Sequence, residues 1–198
     1  VVEDNIKFYS SYLPIIYTEV FKQSQRLVRE GVNLTHKFLR MRARPKILLC
    51  TTYEEAWSYY EKYQEYVLGF ILDINFKHHG VKDPEAGIKL ARTVRAQHDD
   101  ISILLQSSDA GFKHIADQIG ASFMHKNSPR LLQELREFML QNFGFGDFVF
   151  MNNQGQEVFR AANLSQLEGA LKIISDESLI YHASRNHFSK WLKARTEF

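Results

Sequence analysis

Five side chains with charged or reactive ends stand where apolar runs stop. Glu3 and Asp4 follow Val1 and Val2, Asp73 ends the run LGFILD, Ser107 follows ISILLQ, and Lys126 follows ASFMH. In open α/β sheets, ligands gather in the crevice outside the carboxyl ends of the strands, so residues at such stops share one edge however far apart they lie in sequence. One Asp in that position can equally cap a turn. The set of five is far more specific than any member. Three carboxylates brought together repel, each pair at about 4 Å by on the order of 4 kcal/mol at an effective dielectric of about 20. They therefore call for a hard divalent cation with oxygen ligands. Mg²⁺ answers that need, bound by Glu3, Asp4 and Asp73, with the backbone carbonyl of Asn75 completing the shell. Such an ion neutralises an incoming phosphoryl group while one oxygen of Asp73 attacks it in line. Lys126 then pairs with the phosphoryl oxygens and the Ser107 hydroxyl hydrogen-bonds to another.

The elements that must position these groups alternate along the chain. Leu68, Phe70, Ile71 and Leu72 fill both faces of a pleat, as in a strand buried on both sides of a parallel sheet. Residues Asn5 to Arg44 read as helix, with an apolar stripe at Ile6, Tyr9, Leu13, Ile16, Val20, Leu27, Leu34, Phe38 and Met41. Pro14 is placed to kink it and Gly31 to break it in two. A helix of that length outruns a small sheet, so its excess packs either on its own return leg or on a second copy of the chain. Pro45 to Thr51 reads as a strand, and Tyr53 to Tyr66 as a helix packing through Ala56, Tyr59, Tyr60 and Tyr63. The helix Pro84 to Gln97 turns Ile88, Leu90, Ala91 and Val94 inward. A strand Ile101 to Gln106, a short helix Phe112 to Ile119, a strand Ala121 to His125 and a helix Pro129 to Phe143 complete the series. Repeated strand-helix alternation with short links predicts a doubly wound parallel sheet with right-handed crossovers.

Composition bounds the function. The 198 residues are 44% hydrophobic and 24% charged, enough for one good core and a small second unit. With 25 basic and 23 acidic side chains well mixed, the net charge of +2 implies no pull toward nucleic acid or a membrane. Cys50 alone forms no internal disulfide, and there is no signal peptide and no apolar span approaching about 18 residues, so a cytoplasmic setting is expected. The opening VVEDN resembles a strand caught near its end, and the chain is expected to be a piece of something longer.

The acidic pair in VVEDN, the Asp in FILDIN, the Ser in LLQSS and the Lys in FMHKN resemble, in this order and on these elements, the receiver domain of two-component response regulators. The resemblance covers residues 1 to 143. It implies a flavodoxin-like, five-stranded chemotaxis-type sheet of order 2-1-3-4-5 that takes a phosphoryl group from a histidine kinase onto Asp73 with Mg²⁺. It implies a signalling domain, not an enzyme acting on a separate substrate. Phe123, three residues before the lysine, matches the aromatic that turns inward when the family's Ser or Thr, here Ser107, is drawn toward the phosphate; ordinary core packing is its other reading. The chain departs from the family in three places. Asn127 follows the lysine where the family usually has a proline, which puts the cis peptide common there in doubt. The helical region 5 to 44 exceeds what a receiver's first helix needs. The loop NFKHHGVKDPEAG after Asp73 is long and basic, and its His78 and His79 lack a third ligand at sensible spacing, so they are read as solvent-exposed.

Residues 144 to 198 form a separate extension. FGDFVFMNNQGQEVFRA alternates on both sides of Asn152–Gly155 and reads as a β-hairpin. A helix Asn163 to Ile174 follows, with Leu164, Leu167, Leu171 and Ile174 inward and Asn163 or Ser165 as its cap. Asp176 to Glu197 is helical in one or two pieces, and its Arg185, Lys190, Lys193 and Arg195 read as a solvated face, short of a phosphate-tracking stripe. GFGDFVF and RNHFSKWLKARTEF resemble the segment that follows a receiver in bacterial proteins related to phosphoenolpyruvate synthase and pyruvate phosphate dikinase. That resemblance implies a synthase-like partner module beyond Phe198. Three functions compete: a phosphoacceptor receiver; a receiver-shaped, non-phosphorylated dimerisation module using its long first helix; and a small-molecule enzyme, for which no Gly-rich phosphate loop or nucleophile-base pair is visible. A homodimer is expected in either of the first two.

Overall fold

The computed structural model of the chain describes residues 1–30, 33–42 and 45–195. They form two compact units, Val1–Thr18 with Lys46–Phe138, and Glu19–Pro45 with Met139–Phe198. Among the described residues no helix is long and apolar enough to cross a membrane.

The first unit is a mixed α/β layer structure around a parallel sheet. Strand β1 (Gly69–Asp73) pairs in parallel with β4 (Ser102–Ser107), and β4 with β5 (Ser122–His125). Phe70, Ile71 and Leu72 on β1, and Ile103, Leu104 and Leu105 on β4, are all buried, which is why these strands read as continuous apolar runs rather than alternating ones. Helix α4 (Ala86–Gln97) links β1 to β4 and buries Ile88, Leu90, Ala91 and Val94 as expected. Helix α5 (Lys113–Ile119) links β4 to β5 and ends on Gly120, whose φ of +71° suits a left-handed cap.

Helix α3 (Tyr53–Tyr63) starts on Thr52, whose side chain accepts the Glu55 N–H. It buries Ala56 and Tyr60, whereas Tyr59 and Tyr63 remain more than one-third exposed, so its packing face is narrower than four aromatic and small residues suggested.

Three further expectations are corrected. Pro45–Leu49 is not a strand. Its side chains are half-buried or exposed, and Cys50 alone makes a parallel bridge, to Val2, which bridges in turn to Leu72. The segment after Asp73 is not an open loop but a β-hairpin, β2 (Phe76–His78) against β3 (Val81–Asp83), pinned to the core by the fully buried Phe76. The helical region 5 to 44 divides into α1 (Ile6–Arg29) and α2 (Leu34–Arg42); the expected break at Gly31 lies outside the described residues. The buried line of α1 runs through Tyr12, Ile16, Glu19, Gln23, Ser24 and Leu27, while Ile6 of the expected stripe, with Leu34, Phe38 and Met41 on α2, is exposed. Ile16 and Leu27 of the expected stripe do lie on the buried line; spacing found the apolar part of the inner face and missed the polar part at Glu19, Gln23 and Ser24.

The second unit holds α6 residues from Met139 onward (α6, Leu131–Asn142) and the hairpin of β6 (Phe148–Met151) and β7 (Glu157–Ala161). Helices α7 (Leu164–Leu171), α8 (Asp176–Ala183) and α9 (His187–Lys193) follow. Asn163 caps α7 through Gln166 N–H. Phe148, Phe150, Ala161, Leu167, Ala170 and Trp191 form the core, and Leu171 points outward. Arg195 is not part of a solvated basic face. It is fully buried, stacks over Trp191 at 3.3 Å, and donates to the carbonyls of Gly144 and Gly146.

Two histidines in this unit make its stability pH-dependent. Met151 N–H donates to His182 Nε2 at 2.8 Å, so His182 carries its proton on Nδ1 and donates it to His187 Nδ1 at 2.9 Å. The chain works only with both rings neutral. Burial, then the charge of His182, then Lys190 and Arg185, hold His187 down at about 4, and burial and Arg185 lower His182 as well. The unfolded chain protonates these rings at their ordinary values, so stability falls as the pH drops from about 6.5 to about 4. Urea unfolding at pH 7 and pH 4 should show a smaller acid loss for His187→Asn, which keeps an acceptor but does not titrate. An identical acid loss in the two proteins would place the effect elsewhere.

Candidate functional site

The carboxyl ends of the parallel strands carry the site. Asp73 is the last residue of β1, Ser107 the last of β4, and Lys126 follows β5 directly. Val2 is held between two neighbours: its N–H donates to Ile71 O and its carbonyl accepts from Asp73 N, both at 2.8 Å, while Cys50 N donates to Val1 O and Glu3 N to Cys50 O. This backbone clamp delivers Glu3 and Asp4 to the edge where Asp73 ends. Carboxylate oxygens of Glu3, Asp4 and Asp73 lie within 4.8 Å of one another.

Lys126 is nine-tenths buried and bridges two of these acids, with Nζ 2.6 Å from Glu3 Oε2 and 2.8 Å from Asp73 Oδ1. Its ammonium also sits 4.3 Å from the centre of the Phe8 ring, a cation–π contact that helps hold it in a dry setting. Asp73 Oδ1 accepts the Ile74 N–H at 2.8 Å, and Oδ2 has no hydrogen-bond partner among the described residues. Glu3 is fully buried and its second oxygen accepts the Asn5 N–H. Burial, and then the adjacent Asp73 charge, push the Glu3 carboxyl above its ordinary range, against the opposing pull of Lys126.

Ser107 is half-buried; its hydroxyl accepts the Asp109 N–H at 3.0 Å and its carbonyl accepts the Lys126 N–H at 2.8 Å, which ties the ends of β4 and β5 together. Asn75 is exposed just beyond β1. Phe123 is partly buried against the core of the first unit. The structure thus brings Glu3, Asp4, Asp73 and Lys126 into contact or near-contact and sets Ser107 and Asn75 on the same sheet edge.

Several residues around the pocket escaped the sequence reading. Lys82, from β3, donates to both oxygens of Asp4 at 2.9 and 2.7 Å. The pocket's three acids are therefore met by two cations, Lys126 and Lys82. Tyr12 buries its hydroxyl without a partner, and burial, then the charges of Glu3 and Asp73, push that hydroxyl upward. Gln106, opposite Asp73 in register, is fully buried with neither amide atom paired. Gly87 approaches so closely that a Cβ there would meet the Asp73 carbonyl at 2.0 Å, so this position admits no side chain without moving the backbone that carries Asp73. None of these had a local signal, because each depends on which residue lies opposite in space.

Three carboxylates within reach of one point suit a hard cation with oxygen ligands. Glu3, Asp4 and Asp73 are the residues whose oxygens could hold such an ion.

Fold and pocket together define the class: an α/β domain with a carboxylate–lysine cluster at the carboxyl edge of a parallel sheet. Comparison of the chain with protein-family models, with characterised proteins and with solved structures finds no match.

Proposed function

We propose that the first unit is a phosphoacceptor receiver of a two-component phosphorelay, with Asp73 taking the phosphoryl group from a histidine kinase. The convergence of Glu3, Asp4, Asp73 and Lys126 from distant strand ends into one pocket carries this reading. This reading takes the isolated bridges of Val2 to Leu72 and to Cys50 as the places of two further strands beside the three-stranded sheet, in the order 2-1-3-4-5. Asp73 Oδ2, the oxygen left without a partner, attacks phosphorus. The phosphorus–nitrogen bond of the donor imidazole breaks, its electron pair stays on nitrogen, and that nitrogen takes up a proton. Lys126, already on Oδ1, shifts to the phosphoryl oxygens, and the Ser107 hydroxyl turns from Asp109 to donate to another. Glu3, Asp4, Asp73 and the Asn75 carbonyl would hold Mg²⁺, which would neutralise phosphoryl charge when bound. A second copy of the chain is the proposed partner for the exposed apolar side chains of α1, Tyr17 and Phe21 among them.

One observation favours a second reading, a receiver-shaped interaction module without phosphorylation: Lys82 and Lys126 already pair with all three acids. Incubation with acetyl phosphate decides between them. The first reading expects a mass increase of one phosphoryl group, dependent on Mg²⁺ and mapped to the peptide containing Asp73. No increase, or one mapped to another peptide, removes it.

A further inference from the structure

The hairpin after Asp73 carries a second cluster of ligating groups, distinct from the acid pocket. Glu54 on α3 and His78 and His79 on the hairpin each offer a ligand atom, all within 4.8 Å of one another. The sequence lacked a third ligand for the adjacent histidines. Glu54, 25 residues from His79, provides it through the fold.

Several features hold this cluster in shape. His78 and Val81 flank a two-residue turn in which His79 has φ of +53° and Gly80 of +78°. Both central residues are left-handed, as a tight two-residue hairpin turn requires, and this fixes where the His79 backbone presents its side chain. The His79 N–H donates to Glu54 Oε1 at 2.7 Å, and His79 Nδ1 lies 3.4 Å from the same oxygen. The rings of Tyr53, His78 and His79 stack in sequence, at 4.3 and 4.1 Å between centres, so the exposed His79 ring must swing out of the stack to aim a nitrogen at an ion held by His78.

His78 Nδ1 faces Asp83 Oδ2 at 3.2 Å. A carboxylate that accepts the Nδ1 proton fixes the tautomer with a free Nε2 lone pair, which is the arrangement in which metal-bound imidazoles are oriented. Two imidazoles and one carboxylate form a donor set for a d-block divalent ion and a poor one for Mg²⁺ or Ca²⁺, which prefer oxygen throughout. The His79 side chain is 80% exposed and that of Glu54 49%, so an ion reaches the cluster directly from solvent and keeps open positions for water.

We propose that Glu54, His78 and His79 form a Zn²⁺-class metal site at the tip of the hairpin, with Nε2 of His78, an imidazole nitrogen of His79 and a Glu54 carboxylate oxygen as ligands. The site is independent of the phosphoacceptor reading. Calorimetric titration of Zn²⁺ into the full chain, with Mg²⁺ in excess throughout, tests it. One Zn²⁺ per chain is expected, with protection of His78 and His79 from diethyl pyrocarbonate read by peptide mass. His79→Asn preserves the left-handed turn, and Glu54→Gln preserves the acceptor for the His79 N–H. Each variant should fold and bind at least about 10-fold more weakly, since losing even an orienting group around a metal weakens affinity by about that factor. No Zn²⁺ binding by the parent chain, or undiminished binding in both variants, overturns the proposal. So does Zn²⁺ binding that is lost on Asp73→Asn but kept in His79→Asn, which would place the ion in the acid pocket.

Discussion

Asp73→Asn is expected to give a folded protein that takes up no phosphoryl group from acetyl phosphate. Among the described residues, the substitution removes the only carboxylate in the pocket with an unpartnered oxygen at the strand end, and an amide oxygen is too weak a nucleophile to replace it. Loss of labelling could be confused with loss of fold, but the electrostatics separate the two. Asp73 is a cause of the raised Glu3 carboxyl, second to burial. A carboxyl raised in the fold costs stability as the pH climbs through its folded value, so removing the Asp73 charge reduces that cost at neutral pH. Lys126 loses one of its two ion pairs and keeps the shorter one, to Glu3. The two changes offset, and the net shift should stay within about 1 kcal/mol. Intact-mass labelling and urea unfolding on the same sample therefore give a complete loss in the first and a small change in the second. Stoichiometric labelling of the variant would show that another group is the acceptor.

The sequence made some of this structure legible and hid the rest for identifiable reasons. Strands β1 and β4 and helix α4 were readable because burial on both faces leaves unbroken apolar runs, and because Ile88, Leu90, Ala91 and Val94 repeat at helical spacing. The site acids and Lys126 were readable as ends of those runs, since a parallel sheet sends all its carboxyl ends to one edge. Cys50 was misjudged as part of a full strand because ILLC is apolar, although the segment lies where little covers it. The hairpin was missed because His79 stands where Asn would have signalled the turn, and because Lys77 and Lys82 face each other in register, against the usual preference for unlike pairs. Lys82 on Asp4, Glu54 beside His79 and Arg195 under Trp191 are long-range pairings of charged residues that look solvated in sequence. Periodicity reports which faces are apolar. It does not report which polar groups are buried with partners, and the inner face of α1, with Glu19, Gln23 and Ser24, shows the size of that gap.

Lys126→Met should destabilise the first unit by about 3 kcal/mol or more at pH 7, and much less in acid. Met is close to Lys in volume and can lie against the Phe8 ring where the ammonium sits now, so packing changes little. What changes is charge. Glu3 is fully buried, and without Lys126 its carboxylate keeps only the Asn5 N–H, beside the Asp73 carboxylate that already pushes it upward. Removing one partner of a buried pair leaves an uncompensated charge, which costs about 3–5 kcal/mol. The sign with pH follows from the same contacts. Lys126 is what lowers Glu3, so its loss drives that carboxyl further above the ordinary value of 4.5. The penalty is then full above the new folded value and fades as the pH falls toward the unfolded one, because a protonated Glu3 has no charge to leave unpaired. Urea midpoints for parent and variant at pH 7 and pH 4.5 should converge on acidification, and adding Glu3→Gln to the variant should recover most of the loss at pH 7. A pH-independent gap between the two proteins would mean that Lys126 stabilises by its packed methylene chain, and that Glu3 is not held ionised in the native pocket.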